Sequence, residues 1–207
     1  DPAHLLIDLR VSESRFVPAK KIIDIHGDVP TLDMIVIEWL SSQNPKNEFA
    51  AGKPQLPGQK KPGLGCLSYM MDMMYAVGRE VIKDGFMDIP DHMHGAIMYS
   101  KKFKFFNPVH EAILKAILRD LGGYSLLEIS WGMITETIYE RGTGEIQGYN
   151  PSEQIFPVSR RMQKYYSSKI YIKKFKEVYN AKRYYLDYEK MVEKRNEIVK
   201  KKNVMDL

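Results

Sequence analysis

The chain has 207 residues, 44% hydrophobic and 28% charged, with a formal net charge of +5; these values fit one large domain or a domain plus a helical appendage. Its single cysteine, Cys66, excludes an internal disulfide and a multi-cysteine zinc site and favours a reducing, cytoplasmic setting. No apolar run approaches the roughly twenty residues that span a bilayer.

Charge is unevenly placed. Residues 159–207 hold 15 Lys/Arg against 6 Asp/Glu, leaving 16 against 20 elsewhere, so a mildly acidic body carries a basic tail. Along the body, Leu5, Ile7, Leu9 and Val11 alternate with Asp8, Arg10 and Ser12, which predicts a half-buried strand over 5–17. Lys20 to His26, centred on Ile22, Ile23 and Ile25 and closed by Gly27 and Asp28, predicts a second short strand. Met34, Ile35, Val36 and Ile37 predict a third within 31–42. Pro45, Gly52, Pro54, Pro57, Gly58 and Pro62 make 43–62 a loop, long enough to suggest a functional role.

After Gly65, the spacing of Leu67, Met70, Met71, Met74, Val77 and Val81 predicts an amphipathic helix that stops at Gly85. Phe86 to Pro90 reads as a short buried strand, and Asp91 as the cap of a helix containing Tyr99. Asn107 and Pro108 open another helix, ended by Gly122 and Gly123. Residues 126–158 predict a strand pair around the turn Arg141–Glu145. The stretch 159–202 lacks Gly and Pro and predicts one helix anchored by Tyr165, Tyr166, Phe175, Tyr179, Tyr185 and Tyr188. The expected fold class is α+β, a mixed, mainly antiparallel sheet flanked by helices. Residues 1–125 form its core, and 126–207 add the strand pair and the basic, Tyr-rich helix.

Function is most legible in residues 60–106. Gly63 and Gly65 open a helix, where backbone N–H groups lack intrahelical partners and sit at the positive end of the helix dipole. That combination suits a phosphate or pyrophosphate, and glycine lets the anion approach the backbone closely. Lys60-Lys61-Pro62-Gly63-Leu64-Gly65, followed by helix, strand and the stretch Asp91 to Tyr99, resembles the signature of the GNAT superfamily of N-acyltransferases. The resemblance covers about a quarter of the chain. It implies an acyl-CoA cosubstrate, its pyrophosphate held by the amides of Gly63, Leu64, Gly65 and Cys66 with Lys60 and Lys61 adding charge. It also implies that the strand before the loop splays from the next, with the pantetheine arm between them. Tyr99 is then the candidate general acid for the leaving thiolate, and Glu38 the candidate base for an attacking primary amine.

Two alternatives stay open. One is an N-acyl amino acid synthase-type member that takes a long acyl chain from an acidic carrier protein through the basic tail. The other is a non-catalytic relative binding nucleic acid or an anionic surface through that tail. No nucleic-acid module accompanies the tail, so its lysines read first as a solvated face. His92 and His94, two apart on a helix, point about 200° from each other and argue against a shared metal ion. The methionines at 70, 71, 73 and 74 read as core packing, and Cys66 as a small packing residue with no base placed beside it.

Overall fold

The computed structural model describes residues 5–26, 29–50, 55–80 and 83–201. Gly27, Asp28, Gly52, Pro54, Val81 and residues 202–207 lie outside them.

A long antiparallel ribbon begins the sheet. Strand β1 (Ile7–Phe16) pairs with β2 (Leu32–Ser42) from Ile7↔Ser42 to Phe16↔Leu32. Helix α2 (Leu67–Glu80) then crosses over, and β3 (Gly85–Asp88) returns parallel to β2. Strand β6 (Gln154–Pro157) pairs antiparallel with β3, and β4 (Lys104–Phe105) pairs antiparallel with β6. The five-stranded order is β1-β2-β3-β6-β4, mixed and mainly antiparallel, with helices on its faces. An α+β fold was legible in the strand and helix periodicities, and it is what forms. Among the described residues no helix is long and apolar enough to cross a membrane.

Each face of β2 finds its own partners. Leu32, Met34 and Val36 pack with Met87, Ile155 and Ile22 of α1 (Lys20–His26), and with aromatic residues of α6 (Arg160–Tyr166) and α7 (Lys169–Ala181). Ile35, Ile37 and Leu40 face α2, where Met71 and Met74 are buried. Burying a side chain of this size stabilises by about 1.5–3 kcal/mol, which outweighs the modest helix propensities of methionine-rich or β-branched segments. A third core lies between α3 (Met93–Tyr99), α4 (Pro108–Asp120), α5 (Leu126–Ile134) and α8 (Tyr188–Lys201), around Trp131 and Leu114. Strands β5 (Ile138–Glu140) and β7 (Tyr184–Leu186) close it as a two-stranded sheet.

Several expectations are corrected. Lys20–His26 is helix α1, not a strand: the amides of Ile22 and Ile23 bond to Ala19 O, and Ile22 is buried against the sheet. Tertiary burial overrides the isoleucines' β preference. The strand pair over 126–158 does not form. Ser125 and Glu128 make a reciprocal capping box that starts α5. The tight turn at 141–144 survives, with Gly144 N bonded to Glu140 O, but β5 pairs with β7 and β6 joins the large sheet. The single helix over 159–202 is three helices and a strand, with Ser159 and Ser168 capping α6 and α7 through their side chains. Helix α3 begins at Met93 after His92, so Asp91 is not its cap.

Gly85 does not stop a helix but lies within β3. A Cβ there would stand 2.3 Å from Phe156 O, so only glycine lets β6 approach β3 this closely. Because β6 lies between β3 and β4, residues 1–125 and 126–207 share one sheet.

Candidate functional site

The parallel pair of β2 and β3 is short. Its register runs only from Met34↔Gly85 to Val36↔Met87, while β2 continues through Ser42 paired to β1 alone. Six residues, about 20 Å of strand at the usual rise, therefore extend past the last β2–β3 pair. Midway, the β1–β2 register skips Glu38, which is the extra residue of a β-bulge. Beyond the bulge Leu40 packs towards α2 and Trp39 is exposed.

The glycine turn sits where this free stretch ends. A Cβ on Gly63 would lie 3.5 Å from Ser42 O, and Cys66 Sγ is 3.1 Å from Ser42 Oγ. Gly63 and Gly65 are exposed, and no described residue accepts a hydrogen bond from the amides of residues 63 to 66. Gly65 has φ 72°, a left-handed value that glycine adopts without strain, and a Cβ there would meet nothing within 4 Å. These amides lie in the turn just before Leu67, where α2 begins. Lys60 is exposed; Lys61 Nζ lies 2.5 Å from Glu48 Oε1. A surface pair of that kind contributes at most about 1 kcal/mol and yields readily to a phosphate.

Tyr99 ends α3 and packs edge-on to Phe103, 5.2 Å between ring centres, on the same apolar face as Leu67, Met71 and Met74 of α2. Burial pushes its hydroxyl pKa well up, and the charges of Asp88 and Tyr75 add to that, so the phenol stays protonated at neutral pH. Tyr75, half-buried on α2, is pushed up to about 12 by burial, with a contribution from Asp72. It lies eight residues beyond Leu67, about 12 Å along the helix.

Asp88 is the residue the sequence does not single out for catalysis. It ends β3, shares the strand face of Phe86 by alternation, and is 9% exposed. Burial raises its carboxyl from 3.8 to about 7; the charge of Asp91 adds to the rise, and an N–H bond from Ile89 opposes it. A group poised there exchanges protons at physiological pH. Around it stand Tyr149, whose hydroxyl donates to Pro90 O at 2.6 Å, and Asp91. His94, nearby on α3, is held neutral, its pKa lowered to about 4 by burial and by His92. A sequence signal existed in the two acids flanking Ile89 and Pro90, but the burial that makes Asp88 basic comes largely from tertiary packing.

Glu38, by contrast, is exposed on β2, and Arg10, bonded mainly to Asp8, also lies within reach of its charge. The fold thus gathers the amides of 63–66 at the end of β2 and joins Tyr99 to Asp88, while Glu38 faces solvent. His92 precedes the helix in extended backbone, so its ring stacks on that of His94, 5.3 Å apart at 18°, rather than pointing away from it. Among the described residues no group of three or more His, Cys, Asp or Glu side chains gathers as a metal site.

Comparison with family models, curated proteins and solved structures gives no significant match.

Proposed function

We propose that the protein is an acyl-CoA-dependent N-acyltransferase of GNAT type, transferring an acyl group to a primary amine by direct attack. One observation carries this assignment: the parallel pairing of β2 with β3 ends at Val36 and Met87, and an exposed glycine turn whose amides have no acceptor among the described residues stands at the end of the longer strand. The residues present fit the cosubstrate. The amides of Gly63, Leu64, Gly65 and Cys66 hold the pyrophosphate, Lys60 supplies charge, and Lys61 exchanges Glu48 for a phosphate oxygen. In this reading the pantetheine arm runs along Ile37–Ser42, the part of β2 that β3 leaves unpaired, and the thioester lies towards Asp88 and Tyr99.

Asp88, rather than Glu38, then accepts the proton of the attacking amine at its carboxylate. Tyr99, kept protonated by burial, gives its hydroxyl proton to the leaving thiolate. The protons balance: an ammonium first releases one proton to solvent, Asp88 takes one from the attacking nitrogen, Tyr99 delivers one to sulfur, and the proton left on Asp88 restores the phenol through solvent.

Titration calorimetry with coenzyme A and acyl-CoAs tests the assignment. Binding with a Kd of about 10 µM is expected, weakened at least tenfold by Gly63→Val, whose Cβ has room but whose methyls crowd the amides. Absence of binding at about 1 mM coenzyme A would remove the proposal. An unchanged affinity in Gly63→Val would show that the turn is not the phosphate site.

A further inference from the structure

Residues 147–150 cross the surface between β5 and β6 without regular structure, pinned by Tyr149 to Pro90 and by Gln147 N to Ile138 O. Two cavities lie beneath them and share Met93, Met133, Gly148 and Tyr149 as walls. The first, about 120 Å³, is mainly apolar, walled by Val109, Ile113, Leu114 and Ile117 of α4, with His110, Gln147 and Asn150 as its polar lining. A dry apolar cavity of about 150 Å³ holds a benzene ring, so this one takes a small ring or a short alkyl group.

The second cavity, about 280 Å³, is different in character. Asp91 and Glu136 stand at its rim, and the rings of His92, His94 and Tyr149 line it. No lysine or arginine lines either cavity. Ser130, on the α5 wall and 2% exposed, has a hydroxyl with no partner among the described residues, and His94 Nδ1 is likewise buried without one. Ser130 and His94 both contribute to this cavity's wall. Two carboxylates and aromatic faces, with no lysine or arginine, favour a positively charged ligand over an anion.

We infer that the paired cavities beneath residues 147–150 bind a small apolar amine as its ammonium ion, with the head between Asp91, Glu136 and the Tyr149 ring and the apolar body against α4. Asp91 and Tyr149 also stand in the field of Asp88, so the bound ammonium head lies within electrostatic reach of the proposed base. Its role as acyl acceptor rests on the acyl-transfer reading; its binding does not.

The test is calorimetry without any coenzyme A, using 2-phenylethylamine and its neutral and anionic counterparts 2-phenylethanol and 3-phenylpropanoate. The amine should bind at least tenfold more tightly than the alcohol, and the acid not at all. The double variant Asp91→Asn, Glu136→Gln, both exposed positions, should weaken the amine at least tenfold and leave the alcohol unchanged. Equal affinities for amine and alcohol, no saturation by about 10 mM, or an unmoved double variant would each overturn the inference. If coenzyme A still binds in that event, the acyl-transfer proposal survives. Amine binding without coenzyme A binding would instead uphold the amine site and remove the acyl-transfer proposal.

Discussion

Asp88→Asn isolates what burial does to one carboxyl. Below pH 3.8 the side chain is protonated in both folded and unfolded chains and contributes no difference between them. Between 3.8 and about 7 the unfolded chain releases the proton while the folded chain keeps it, so stability falls as pH rises. Above pH 7 the whole penalty applies, about 4 kcal/mol for a displacement of this size. The asparagine amide resembles the protonated carboxyl in shape and cannot ionise. Wild type and variant should therefore have similar stability near pH 4 and diverge by about 4 kcal/mol at pH 8, with the variant more stable. In urea denaturation, with a slope of about 2 kcal/mol/M, the midpoints should separate by about 2 M. Parallel stability curves from pH 4 to 8 would show that Asp88 ionises like an exposed aspartate, and would disqualify it as a base tuned by its surroundings.

Tyr99→Phe should leave coenzyme A binding unchanged in calorimetry and slow transfer about 10²–10⁴-fold, whereas equal rates would return Tyr99 to a packing role. Asp84 receives hydrogen bonds from Asp33 N, Ser159 Oγ and Arg161; burial alone would raise its carboxyl, but these partners hold it below the usual value. Its stabilisation is present above the ordinary carboxylate range and is lost as pH falls through the lowered value, so Asp84→Ala should cost about 2–4 kcal/mol at pH 7 and much less at pH 2 in urea titrations. Gly85→Ala, driven against Phe156 O, should destabilise by at least about 3 kcal/mol and lower the melting temperature by several degrees. Glu136, with φ 56°, carries left-handed strain that Glu136→Gly should release, stabilising by about 1 kcal/mol in thermal melts.

Local pattern carried the reading as far as local forces decide. The alternation of 5–17, the aliphatic run at 34–37 and the periodicity after Gly65 appear as β1, β2 and α2. β2 and α2 bury one face each, whereas β1 was expected to be half-buried and buries none of its residues: Leu5 before it and Ile7 and Val11 within it are exposed, and pairing with β2 holds it in place. Asn107 and Pro108 open α4 as their chemistry dictates, with Asn107 Oδ1 accepting from Val109 N. Lys20–His26 misleads because its isoleucines favour a strand while the sheet offers them a helix's footing. The Ser125–Glu128 cap was present in the sequence, but the glycine turn at 141–144 suggested a local hairpin, and only distant partners decide which strands pair. In the site, the turn at 63–66 was visible because its glycines are a local signal, and Gly65 does take a left-handed φ. Asp88 was not, because much of what surrounds it comes from residues on α3 and from Tyr149, 61 positions away.

The place of β6 also governs how the chain is made. Strand β3 leaves the ribosome with its inner edge bare and stays so until Gln154–Pro157 follows, 66 residues after Asp88. At about 5–20 residues/s that is a wait of roughly 3–13 s, during which the four residues of β3 offer open backbone donors and acceptors to any passing strand. Truncation before residue 154 would make that exposure permanent, so a shortened chain should partition into aggregates rather than fold as a smaller unit.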